Sequence, residues 1–109
     1  MSRPTRVKIG AFTFKILYTP HIDDVGSANQ DKLELYINPD GPADIVRSTV
    51  WHEIQHAACW VVGLHARWEA EGGKSTPPTE EDVVDPLSNV EYDIMRRNAG
   101  LMEWLMEKP

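Results

Sequence analysis

One cysteine, Cys59, is all that this chain of 109 residues contains, so no internal disulfide can form. The stapled framework of a small secreted scaffold is excluded, and a reducing compartment is the natural expectation. The opening MSRPTRVKIG lacks the apolar core of a secretory signal, and no apolar run approaches the roughly 18 residues that cross a bilayer. A cytoplasmic protein without a membrane partner is therefore expected. Positive charge is scarce too: 11 Lys and Arg stand against 17 Asp and Glu, for a formal net charge of -6. Binding to phosphate backbones needs clustered cations, so nucleic acid is not expected as a main partner. Arg96-Arg97 is the nearest approach to a basic patch and reads as a solvated helix face.

What is present suits one folded domain over residues 1–109, with 41% apolar and 26% charged residues. A core of this size is modest, so a bound metal could add usefully to its stability.

VKIGAFTFKILY (7–18) alternates loosely, with Phe12, Phe14, Ile16 and Tyr18 on one side, and predicts a strand broken into a hairpin near Gly10. KLELYIN (32–38) repeats the pattern with Leu33, Leu35 and Ile37, and TPHIDDVGSANQD between the two reads as a loop. NPDGP (38–42) ends that strand and prepares a helix, with Asp44 at its positive end. From Ala43 to about Val62 the spacing of Val46, Val50, Ile54, Ala57 or Ala58, and Val61 is helical, and Gly63 suits the C-terminal cap. Residues 65–79 read as a long loop, and TEEDVVDPLSNVEYDIMRRNAGLMEWLME as helix again. Pro86 is expected to break or restart that helix, with Asp85 as the new cap.

Chemistry concentrates in the first helix, in STVWHEIQHAACWVVG (48–63). His52 and His56 are one turn apart, so both imidazoles project from one face and can grip a single ion. Zinc accepts two neutral imidazoles, needs a third protein ligand and leaves a fourth position for water. Glu53 lies about 100° round the helix from His52, where a carboxylate can reach that water without itself being a ligand. The pattern would arise by chance in roughly one such sequence in a hundred, so its mid-helix place and the small residues Ala57 and Ala58 behind it carry weight. One zinc ion per chain is expected.

The third ligand has several contenders. The positions where a metzincin continues its motif hold Cys59 and Val62, which excludes that class. Cys59 more readily serves as a small buried hydrophobe, His65 lies in the loop, and His21 has no spacing argument. A carboxylate from the later helix remains, and Glu81 is favoured because Val84, Leu87 and Ser88 follow on its face. Glu80, Asp82, Asp85 and Glu91 are the alternatives, and the acidic first turn also suits the helix dipole alone. Trp60, one turn beyond His56, is placed to floor a substrate pocket, while Trp51 and Trp104 read as core and Trp68 as a loop residue. Tyr92, His65 and Arg67 are candidates to stabilise a transition state.

RSTVWHEIQHAACWVVGL followed by TEEDVVDPLSNVEYDIMRRNAGLMEWL resembles the small metallopeptidase-like proteins of tailed bacteriophages. The lead-in strands VKIGAFTFKILY and LELYINPD extend that resemblance over nearly the whole chain. Such proteins look like minimal zincins of the gluzincin type, distantly similar to the ImmA/IrrE-like group. The resemblance implies an α+β fold, with a small antiparallel sheet packed on the HExxH helix and a C-terminal helical segment. It implies His52 and His56 as ligands, Glu53 as base and the EED entry, Glu81 foremost, as source of the third ligand. The expected function is a zinc-dependent metallopeptidase acting on a protein or peptide, by limited proteolysis of a phage or host regulatory protein in the host cytoplasm. The alternative is a zinc-stabilised binding module that sequesters such a factor without cleaving it.

Overall fold

The computed structural model describes residues 3–20, 24–63 and 80–107, with side chains from 86 onward in the last of these. The strands are β1 (Arg6–Ile9), β2 (Phe12–Tyr18), β3 (Gly26–Asn29) and β4 (Glu34–Ile37). They are followed by α1 (Ala43–Val61), α2 (Glu80–Arg97) and α3 (Ala99–Leu105). The expected hairpin forms between β1 and β2, where Ile9 faces Phe12 across Gly10 and Ala11. Gly10 has φ +59°, the left-handed first position of a II′ turn, and a Cβ there would lie 2.9 Å from Val61 Cγ1. Both the turn and the approach of α1 favour glycine.

The sheet is mixed, in the order β1-β2-β4-β3, which corrects the expected antiparallel sheet. β1 and β2 are antiparallel, as are β3 and β4, but β2 and β4 run parallel. The cause is β3 itself, which forms inside the stretch expected to be a loop. The chain reverses once more there, through the short 3-10 turn Gln30–Lys32, so β4 returns in the direction of β2. Asn29 Oδ1 accepts the Lys32 N–H at 3.2 Å, and Leu33 takes up φ 55° to leave the turn.

All described helices cover one sheet face, the α+β arrangement of one core between two layers. Val7, Ile9, Phe14, Ile16, Leu35 and Ile37 point into that core from alternate strand positions. Val46, Val50, Ile54, Ala57 and Ala58 of α1 meet them, with Val90 and Ile94 of α2 and Leu101 and Trp104 of α3. Trp104 is buried, as expected, and Trp51 packs half-buried against the cluster. Arg47 joins α1 to α3: its Nε–H donates to the Trp104 carbonyl at 3.0 Å and its guanidinium lies over the Trp104 ring.

α2 passes through Pro86 without ending, contrary to expectation. Proline removes one helical hydrogen bond and crowds the preceding turn, but Val90 and Ile94 anchor the helix in the core just beyond it. The break falls at Asn98 instead. Its side chain accepts the Lys8 N–H and donates to the Lys8 and Ile94 carbonyls, each at 2.9 Å. Among the described residues, no helix is long and apolar enough to cross a membrane.

Candidate metal centre

α1 begins at Pro42, whose carbonyl accepts the N–H groups of Ile45 and Val46. It ends where Val62 N–H reaches Ala58 O and Gly63, at φ +82°, donates to Trp60 O. Gly63 is the expected cap. The helix presents one buried stripe to the sheet, and the polar residues Thr49 and Glu53 belong to that stripe. His52 and His56 lie beside it on exposed surface.

The two imidazoles converge. Their Nε2 atoms are 3.1 Å apart and their rings meet nearly edge to face, at 82°. Two nitrogens bound at about 2.0–2.1 Å to one tetrahedral zinc would stand about 3.3 Å apart, so the pair fits an ion with little adjustment. The donors are also right in kind, since zinc takes neutral imidazole nitrogen readily. No movement of the helix is required.

Glu53 is only 5% exposed. Burial raises the pKa of its carboxyl; the neighbouring His56 and His52 oppose the rise, and Asp24 adds to it. The carboxylate lies under β3. A Cβ on Gly26 would stand 2.7 Å from Thr49 Cγ2 and 3.1 Å from both Cγ and Oε2 of Glu53. Thr49 is held in turn by its hydroxyl, which donates to the Ile45 carbonyl at 2.7 Å. Gly26 therefore leaves the space that the Glu53 side chain occupies. Neither Gly26 nor Thr49 is expected from sequence. GSAN (26–29) has no large apolar residue to alternate, so only its position before the second strand could have marked it.

β3 is an edge strand among the described residues. Asn38 N–H donates to Val25 O, so Val25, Ser27 and Asn29 turn their backbone groups toward β4. By alternation, Gly26 and Ala28 turn theirs to the outer edge. A hollow of about 370 Å³ adjoins this edge, lined by Val25, Ser48, Thr49 and His52.

Among the described residues, no group of three or more His, Cys, Asp or Glu side chains is assembled to hold a metal. The expected third ligand, Glu81, lies in the first turn of α2, and its side chain is outside the described residues, as are those of Glu80, Asp82 and Asp85. His21, His65, Arg67 and Trp68 also lie outside them. Glu91 is described. It is near enough to Cys59 to help raise the thiol pKa, behind the larger effect of burial. Cys59 follows His56 by one turn, so Glu91 approaches this side of α1.

Trp60 is half-buried. Its ring packs on Phe12 at 5.3 Å and edge-on to Phe14 at 6.1 Å, which closes the core beside the hairpin. Tyr92 is 64% exposed, with Arg96 over its ring. The chain has no match among models of known protein families, curated proteins or solved structures.

Proposed function

We propose that the protein is a zinc-dependent peptide hydrolase. The observation that carries this reading is the convergence of the His52 and His56 Nε2 atoms, 3.1 Å apart, beside the buried carboxyl of Glu53. His52 and His56 would hold the ion, with a carboxylate of α2, Glu81 foremost, as third ligand. When bound, zinc supplies Lewis acidity, lowering the pKa of a coordinated water and polarising a carbonyl. Glu53 then acts as general base. It accepts a proton from the attacking water and passes it to the leaving amine nitrogen. The edge of β3, open among the described residues, supports a peptide as substrate, since an extended chain can pair with the outward backbone of Gly26 and Ala28. Limited proteolysis of a regulatory protein in a cytoplasm fits this reading.

Elemental analysis and cleavage of a mixed peptide library test the proposal together. About one zinc per chain is expected, lost in His52→Ala and kept in Glu53→Gln, while Glu53→Gln cleaves about 10²–10⁴-fold more slowly. Absence of tightly held zinc after refolding with it would sink the reading. Zinc held, with no cleavage by the unaltered protein, would leave a zinc-stabilised binding module in its place.

A further inference from the structure

The edge of the sheet farthest from β3 carries a second feature. An open cleft of about 570 Å³ runs between β1 and the α2–α3 junction. Arg3, Arg6, Lys8 and Arg97 line it, and among the described residues of its lining none is acidic. The net charge conceals this segregation. Residues 1–22 hold Arg3, Arg6, Lys8 and Lys15 without one Asp or Glu, so all 17 acids lie later in the chain.

The cations there are poorly neutralised. Arg6 and Lys15 face each other across β1 and β2, a like-charge pairing, although Glu34 stands beside Lys15 on β4. Neither they nor Lys8 has an ion-pair partner among the described residues. Arg97 spends one nitrogen, Nη1, on Asp93 and the Gly10 carbonyl. Arg3 lies over the Tyr18 ring at 5.3 Å, which holds it near the cleft without cancelling its charge.

The cleft also has a bare floor. Gly100 is a helical residue of α3 without a left-handed φ, and among the described residues a Cβ there would meet nothing within 4 Å. Neither conformation nor packing calls for glycine, which weakens a helix relative to alanine. A glycine there leaves the backbone open to close approach by a ligand. A donor is at hand as well. Thr5 O accepts Ile16 N–H, which places the backbone groups of Arg6 and Lys8 on the outer edge of β1. Asn98 takes those of Lys8 and leaves the Arg6 N–H facing outward.

We propose that this cleft binds a phosphate group carried on a small molecule. Guanidinium forks match phosphate oxygens two at a time, and several cations around one cleft suit a multiply charged oxyanion better than a single carboxylate. The proposal stands apart from the metal centre.

An NMR titration with inorganic pyrophosphate at about 0.15 M salt tests it, since charges beyond a Debye length of about 8 Å are screened there. Saturable shifts are expected at the Arg6, Lys8 and Gly100 amides, with half-saturation below about 1 mM. Gly100→Glu sets a carboxylate on the open floor and should weaken binding about tenfold or more, by like-charge repulsion. Lys32→Glu changes net charge by more, away from the cleft, and should weaken it less than about twofold. Equal weakening by the two variants would overturn the proposal, because net charge alone would explain it. Shifts that do not saturate, or that centre on His52 and His56, would overturn it too. So would binding to phosphatidic acid vesicles without any to pyrophosphate.

Discussion

β3 and β1 both end the same sheet, yet their outer edges are finished in different ways. β3 is four small or polar residues lying over Thr49 and Glu53, with the backbone of Gly26 and Ala28 turned outward. β1 is plugged. The Asn98 carboxamide meets the Lys8 N–H and carbonyl as a neighbouring strand would. An unpaired edge is a liability that proteins commonly cover or charge. Here one edge is covered by a side chain and rimmed with cations, while the other adjoins the histidine pair. The difference teaches that the sheet is closed where helices dock and, among the described residues, left bare beside the candidate site.

The largest effect on this comparison should come from filling the β3 side. Gly26→Val would drive a branched side chain into Thr49 and the Glu53 carboxylate, where even a Cβ stands only 2.7 and 3.1 Å away. Overpacking of this kind costs about 1–3 kcal/mol. Cleavage should fall with it, because the displaced carboxyl belongs to the proposed base. Urea denaturation and a peptide-cleavage assay read the two effects separately. Stability and cleavage both unchanged would show that β3 can lift away from α1, and that the close approach is not needed.

Unplugging β1 should cost the fold a similar amount but leave the candidate site alone. Asn98→Ala removes three hydrogen bonds of 2.9 Å and exposes the Lys8 backbone. Water replaces some of them, and at about 0.5–1.5 kcal/mol for each bond a net loss of about 2 kcal/mol is expected. The variant should also self-associate, since the edge is then free to pair with another chain. Thermal unfolding and sedimentation would check both consequences. A monomer as stable as the original would mean that α2 and α3 shield β1 without help from the carboxamide.

Legibility from sequence followed the length scale of each cause. α1 is legible because its stripe of Val46, Val50 and Ile54 is local and periodic, and the two histidines one turn apart need only that helix to meet. The Gly10 hairpin is legible for the same reason. β3 is not, since Gly26 and Ala28 earn their inward places by smallness against α1, and smallness leaves no hydrophobic alternation. Missing β3 led to the wrong strand direction for β4. The break at Asn98 depends on Lys8, 90 positions away, whereas local rules pointed to Pro86. Burial of Val90 and Ile94 overrode the proline. The third ligand stays an expectation, because no local spacing rule ties Glu81 to the motif.

The smallest expected effect concerns the way into β1. Tyr18 ends β2, and its hydroxyl donates to the Pro4 carbonyl at 2.8 Å, pinning the segment that leads to the plugged edge. Burial pushes its pKa up to about 12, although the nearby Arg3 charge pulls the other way. The unfolded chain titrates near the ordinary value of about 10, so folding favours the neutral phenol. That contribution is complete below pH 10, shrinks as pH rises, and is gone above about 12. Tyr18→Phe should therefore be less stable at neutral pH, by about 1 kcal/mol for the lost hydrogen bond. Between pH 10 and 12 its melting temperature should fall less steeply than that of the unaltered protein, so the two curves approach each other. Curves that stay parallel through that window would mean that the phenol ionises as freely folded as unfolded, and that the entry to β1 is held by Arg3 stacking and strand pairing without it.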